Sequence, residues 1–173
     1  MGITIAFELL PLEQADIAQF KRDIQEAFQK GFEDVYGKTD DTILPEADID
    51  RSLNTAGGIA YKAIIDGTMA GGAVVEINNE TQHNHLDLRY VKYGIQTKGT
   101  GYAIWNAIEK LHPETKVWET CTPYFEKRNI HFYVNKCGFH IVEFLIEYHP
   151  DPNESEEFIG DGGDGIFVFQ KQM

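Results

Sequence analysis

The chain has 173 residues, of which 42% are hydrophobic and 12% aromatic, enough to pack one core in a single domain spanning 1–173. Twenty-eight acids against 15 Lys and Arg leave a formal charge of −13. Such a surface repels phosphate backbones, which argues against nucleic acid as a general partner and favours cationic small molecules or basic peptides.

Residues 3–9 alternate loosely and predict a first strand, stopped by Pro11. Ile17, Phe20, Ile24 and Phe28 then recur at three or four residues, the apolar face of an amphipathic helix with Gly31 near its end. A loop from Tyr36 leads to a short helix after Pro45. Asp66-Gly67 separates two apolar runs, 58–65 and 68–77, and predicts a tight hairpin. Residues 85–91, HLDLRYV, alternate strictly, with Leu86, Leu88 and Tyr90 on one face and Asp87, Arg89 and Val91 on the other. Ile104, Ile108 and Leu111 mark a helix that ends at His112-Pro113. A strand in KVWETCT, a short helix stopped by Gly138 and two closing strands, HIVEFLIEY and GIFVFQK, complete the chain. The order predicts an α/β fold with a mixed sheet and a parallel pairing around the helix at 101–111.

Cys121 and Cys137 are too few for a disulfide framework and fit reduced thiols. The N-terminal stretch lacks a basic n-region, and Ala6 stands where a myristoylation signal wants Ser or Thr. No apolar run approaches the ~20 residues of a membrane span. A cytoplasmic protein with no membrane partner is therefore expected.

The strand ending at Val91 leads into VKYGIQTKGTGYAIW, a glycine-rich turn that opens a helix. Gly94 and Gly99 have the Walker spacing, but Thr100 and Gly101 follow where Lys and Ser or Thr are needed. A dinucleotide fingerprint starting at Gly99 and Gly101 fails at Ile104. The physics survives both failures. Unpaired backbone N–H groups and the helix dipole favour an anion there, glycine lets phosphate oxygens approach the backbone, and Lys98 adds charge.

Gln96-Thr97-Lys98-Gly99-Thr100-Gly101 reads Q-x-x-G-x-G, with Val91 five positions before the Gln. Tyr133-Val134-Asn135-Lys136-Cys137-Gly138-Phe139 follows as Y-x-x-x-G-F with one residue more between Tyr and Gly. Together, in this element order, they resemble the GNAT superfamily of acyl-CoA N-acyltransferases. The resemblance implies a single-domain α/β fold. Its sheet is mixed and mostly antiparallel, with about seven strands flanked by about four helices. A splayed parallel strand pair forms the acetyl-CoA cleft. Carried over, backbone groups near Val91 and Tyr93 hold the acetyl carbonyl and pantetheine amides. Gln96, Thr97, Lys98, Gly99, Thr100, Gly101 and Tyr102 cradle the pyrophosphate. Asn129 and Phe132 flank the pantetheine, although the commonest family pattern puts its Asn further upstream of the Tyr. Homodimers are frequent in the family, so one is compatible here.

The implied reaction is direct transfer of acetyl from acetyl-CoA, as cosubstrate, to a primary amine, with the acceptor unidentified. An alkylamine of pKa ~10 must lose a proton before it attacks. The leaving thiolate needs one, and Tyr133 stands where the family keeps such an acid; its plain alternative is a core tyrosine. For the base, Asp87, on the strand face of Val91, and Glu119, on the opposite splayed strand, remain equal alternatives. His83 and His85 share a strand face but lack an evident third metal ligand. His131 and His140 are expected to be partly buried, and Cys121 and Cys137 to pack. Two rival functions stand beside this one, a protein Lys or N-terminal acetyltransferase and a non-catalytic acyl-CoA-binding module.

Overall fold

The computed structural model describes residues 6–95, 99–152 and 163–173. Seven strands form one sheet in the order β1-β2-β3-β4-β5-β7-β6, antiparallel throughout except for β4 and β5. They are β1 (Phe7–Pro11), β2 (Gly58–Ile65), β3 (Thr68–Glu76), β4 (His83–Val91), β5 (Val117–Pro123), β6 (His140–Leu145) and β7 (Ile166–Gln172). The helices are α1 (Ile17–Tyr36), α2 (Glu46–Asn54), α3 (Thr100–Leu111) and α4 (Lys127–His131), the last continued by a π-helical turn over Phe132–Lys136.

Local chemistry explains many of these bounds. Pro11 closes β1, an edge strand where a missing N–H is tolerated. Asp66 and Gly67 both have positive φ, 49° and 82°, as a two-residue hairpin twisting with its strands requires. Helix α1 runs past Gly31 and stops at Tyr36, where Gly37 takes φ 87°. At the end of α4, Phe139 N–H reaches back to Tyr133 O at 2.9 Å while Gly138 takes φ 83°.

Each sheet face buries its own core. On one, Trp105, Trp118, Phe139, Phe169, Ile104, Ile108, Leu86 and Tyr133 pack α3 and the α4 segment onto the strands. On the other, Phe20, Ile24, Leu44 and Ile49 of the α1–α2 region pack against Val74 and Tyr90. The expected alternation along β4 is broken. Val74 pairs with Leu88 but Val75 with Leu86, so Asp87 is an extra residue in a β-bulge. The bulge reverses the faces beyond it. Leu86 joins the α3-side core, whereas Leu88 and Tyr90 pack on the α1 side, and Val91 returns to the α3 side. The expectation that Leu86, Leu88 and Tyr90 share a face is therefore corrected, as is the expectation that Asp87 shares one with Val91.

Candidate active site

Strands β4 and β5 pair only where His83, Asn84 and His85 meet Val117, Trp118 and Glu119. Thr120 Oγ1 donates to Leu86 O at 2.9 Å and closes the last rung with a side chain. Past it, among the described residues, no pairing joins the two strands. The bulge at Asp87 turns β4 while β3 keeps its other edge, with Gly71 opposite Val91. The strands thus part around a cavity of about 710 Å3. Asp87 to Val91 line it from β4 and Thr120 to Pro123 from β5. Asn129 and Tyr133 close one side, and Phe28, Leu44 and Ser52 the other.

Tyr133 is 4% exposed. Its ring packs on Phe139 and Phe169, with centroids 5.5 and 5.6 Å away, yet it also forms part of the cavity wall. The expected core packing of Tyr133 is thus observed, in a residue that also lines the cavity. Arg89 Nε donates to Tyr133 Oη at 3.2 Å and Nη2 donates to Asn129 Oδ1 at 3.3 Å. Asn129 Nδ2 in turn donates to Thr122 Oγ1 at 3.4 Å, so side chains bridge the parted strands through α4. The Arg89 guanidinium also lies over the Phe132 ring at 4.3 Å. Sequence reasoning passed over Arg89, whose only signal was a cation on the strand before the glycine turn.

Asp87 accepts a hydrogen bond from the Ser52 hydroxyl of α2. His85 lies between the two candidate bases, with Nδ1 4.0 Å from Asp87 Oδ1 and Nε2 3.5 Å from Glu119 Oε1. Burial opposes charge on His85, but Cys121, Glu119 and Asp87 overcome it and push the imidazole up to about 10. Glu119 is held below the usual carboxylate range by His85 first and by Gln170, whose Nε2 donates to Oε2 at 2.9 Å. Of the two carboxylates, Asp87 belongs to the cavity wall and Glu119 does not. Cys121 also lines the cavity and is exposed, which corrects the expectation that it packs; Cys137 is buried. His131 and His140 are exposed, not partly buried.

One carboxylate went unnoticed in the sequence. Glu126 lines the cavity, and burial pushes it up despite the nearby Arg128 and Arg89. Gly31 of α1 makes room for it, since a Cβ there would sit 2.7 Å from Glu126 Oε1.

Between the start of α3 and the π-helical turn is a second, outer cavity of about 600 Å3. Gly99, Gly101, Tyr102, Phe132, Asn135 and Lys136 line it. Gly99 caps α3 with φ 82°, a left-handed conformation that glycine adopts without a Cβ penalty. Thr100 is buried beneath it. The space beside Gly101 is filled by Arg89 Nη1 at 2.7 Å from where a Cβ would stand. Tyr93 is 56% exposed, with Lys30 Nζ over its ring at 5.8 Å. Gln96, Thr97 and Lys98 lie outside the described residues.

A mixed, mostly antiparallel sheet with one parted parallel pair, and a glycine-capped helix beside the gap, define an acetyltransferase-type α/β fold. Residues 21–139 match the Acetyltransferase (GNAT) family, so the chain belongs to that family. It is 47% identical over 142 residues to YrkN of Bacillus subtilis (strain 168), a match covering 82% of this chain and 77% of the relative. Among solved structures it resembles the ribosomal-protein-S18-alanine N-acetyltransferase of Escherichia coli, with a TM-score of 0.69 at 15% identity over 96% of this chain and 94% of that one. An acetyltransferase of the GNAT family from Elizabethkingia anophelis, with acetyl-CoA bound, gives 0.67 at 14% identity over 96% and 98%. At these identities the structural matches establish the fold. Among the described residues, no helix is long and apolar enough to cross a membrane.

Proposed function

We propose that the whole chain is one N-acetyltransferase domain that moves acetyl from acetyl-CoA to a primary amine by direct attack in a ternary complex. The observation that carries this is that Asp87 and Tyr133 both line the cavity that opens where β4 and β5 part. Acetyl-CoA-bound proteins of the same fold support the choice of donor.

In this reading the pantetheine arm enters between the parted strands, where the β4 edge that faces β5 has no strand partner beyond His85 and can hold its amides and the acetyl carbonyl. The pyrophosphate lies in the outer cavity beside the N-terminus of α3, with Lys136 as a nearby cation. Asp87, the base we favour, accepts a proton from the ammonium acceptor, directly or through water. The free amine attacks the thioester carbonyl, a C–N bond forms, and the C–S bond breaks with its electron pair going to sulfur. Tyr133 passes its hydroxyl proton to the thiolate. Asn129 and Phe132 flank the arm.

The acceptor side of the cavity presents carboxylates on α2 and α4's flank as well as β4, with Asp48, Asp87 and Glu126 in its wall. Asp48 is already paired with Arg51 at 3.0 Å. Asp87, Glu126, Glu76 and Asp151 add carboxylates to the same wall, against Arg51, Arg89 and Arg128, and this acidic balance favours a cationic small molecule as acceptor. Reduced, cytoplasmic surroundings suit both cosubstrate and thiols.

Calorimetric titration of acetyl-CoA into the protein and into Gly99→Glu tests the donor. Tight binding by the wild type that the variant loses, followed by acetylation of a primary amine in a cationic-amine screen, is the expected result. No binding by the wild type would refute the enzyme. Binding without turnover of any amine or basic peptide would favour an acyl-CoA-binding module.

A further inference from the structure

Acetyl transfer through Asp87 and Tyr133 leaves one charged group without a task. Arg89 projects from β4 into the gap between α3 and α4, half-buried, where a guanidinium is costly unless its donors are used. Its partners are neutral oxygens, Tyr133 Oη and Asn129 Oδ1, and an aromatic face, Phe132. Among the described residues no carboxylate forms an ion pair with it. Three features fix its position. The fork reaches two acceptors on neighbouring turns, the plane stacks on Phe132, and Gly101 withholds the Cβ that would collide with Nη1. A lysine has one compact ammonium and cannot satisfy the same fork while stacking.

A phenol has one hydrogen to give and lone pairs to receive with. Arginine only donates, so the Arg89 contact occupies a lone pair of Tyr133 Oη and leaves the hydroxyl hydrogen for another acceptor. We propose that Arg89 is a positioning residue for Tyr133. It turns the phenol's hydrogen toward the cavity and keeps a positive charge beside the oxygen that becomes negative when that hydrogen is passed on. The step balances. The acyl C–S bond breaks with its electrons on sulfur, the Tyr133 O–H bond breaks as the S–H bond forms, and the phenolate, paired with the guanidinium, takes its next proton from solvent. The charge is in place before it is needed, so little reorganisation is required during the reaction. This inference rests on the acetyl-transfer reading.

The test is a double-mutant cycle with Arg89→Met, Arg89→Lys and Tyr133→Phe, alone and combined, following kcat, both KM values and thermal midpoint. Arg89→Met is expected to lower kcat about tenfold to a hundredfold, the scale of a lost charged hydrogen bond, with the KM for acetyl-CoA within about threefold of wild type. Arg89→Lys, which keeps charge without the fork, should fall between Met and wild type. On top of Tyr133→Phe, Arg89→Met should cost less than about twofold more, since residues acting as a unit are not additive. Equal kcat losses in both backgrounds would overturn the proposal. So would a raised KM for acetyl-CoA at unchanged kcat, which would make Arg89 a donor-binding group.

A second readout needs no turnover. Removing a cation from beside a phenol changes its ultraviolet absorption, so Arg89→Met should give a phenol difference band that disappears when Tyr133→Phe is present. If wild-type protein binds acetyl-CoA but transfers no acetyl group, the enzyme reading fails, while this band still decides the contact. Its absence overturns the positioning role.

Discussion

Two glycines, Gly71 of β3 and Gly101 of α3, should respond oppositely to one methyl group. At Gly71 of β3, a Cβ would stand 2.5 Å from Tyr90 O, 3.1 Å from Ile104 Cδ1 and 3.3 Å from the Val91 Cα. Two of these are β4 backbone atoms, so the β3–β4 ladder must part to admit alanine. Overpacking of this kind costs ~1–3 kcal/mol, and the backbone entropy recovered on replacing glycine returns ~0.5–1 kcal/mol. A net loss of about 1–2 kcal/mol lowers the thermal midpoint by roughly 2–8 °C in a chain of this size. At Gly101 the overlap is nearly as severe, 2.7 Å, but the neighbour is Arg89 Nη1, the far end of a flexible side chain, and the next atoms are at 3.8 Å. Here alanine also improves helix propensity by up to ~1 kcal/mol. Gly101→Ala should keep or raise the thermal midpoint by about 2–4 °C while displacing the guanidinium from Tyr133 and lowering kcat. Differential scanning calorimetry on the two variants reads the difference directly. Equal midpoint losses, or a Gly71→Ala protein as stable as wild type, would refute the reasoning that backbone and side-chain neighbours set the cost.

Phe169→Ala removes a fully buried ring from the core under Tyr133 and should cost ~3–5 kcal/mol in urea unfolding. Asp87→Asn should lower kcat by about a hundredfold with calorimetric acetyl-CoA affinity unchanged; loss of affinity instead would remove Asp87 from the base role. Glu126→Gln should raise the acceptor KM for cationic amines about tenfold, the scale of one charged contact, and leave neutral amines unaffected in a steady-state comparison. The imidazole of His85 is raised from 6.5 to about 10 by Cys121, Glu119 and Asp87 against the opposing effect of burial. A raised pKa contributes stability that is fully present below the unfolded value and is lost as pH climbs through the folded one. Urea midpoints should therefore fall between pH about 6.5 and about 10 in the wild type, and the fall should shrink in His85→Asn; parallel curves would contradict it.

Short-range chemistry was open to reading in the sequence. Asp66-Gly67 specified a hairpin because the turn needs positive φ at both positions. Gly138 specified a helix end, and the spacing of Phe20 and Ile24 specified the buried face of α1, because each signal involves neighbours a few residues apart. The two motifs around the glycine turn and Tyr133 likewise marked the family, and the chain matches it from residue 21 to 139. Other features depended on groups far apart in the chain. The bulge at Asp87 looked like regular alternation in HLDLRYV, since a one-residue slip shows only when β3 supplies the register. β7 enters between β5 and β6, a placement that no local pattern encodes. Gly101 read as space for phosphate, and the fold fills that space with a side chain from β4. Arg89 meets partners 40 and 44 residues away, and Glu126 meets a glycine on α1. The sequence by itself determined the order of the elements, the ends marked by Asp66-Gly67 and Gly138, and the family. Only the tertiary structure decided which charges face the cleft, because that depends on strand register and on the packing of helices against a sheet whose central pair parts.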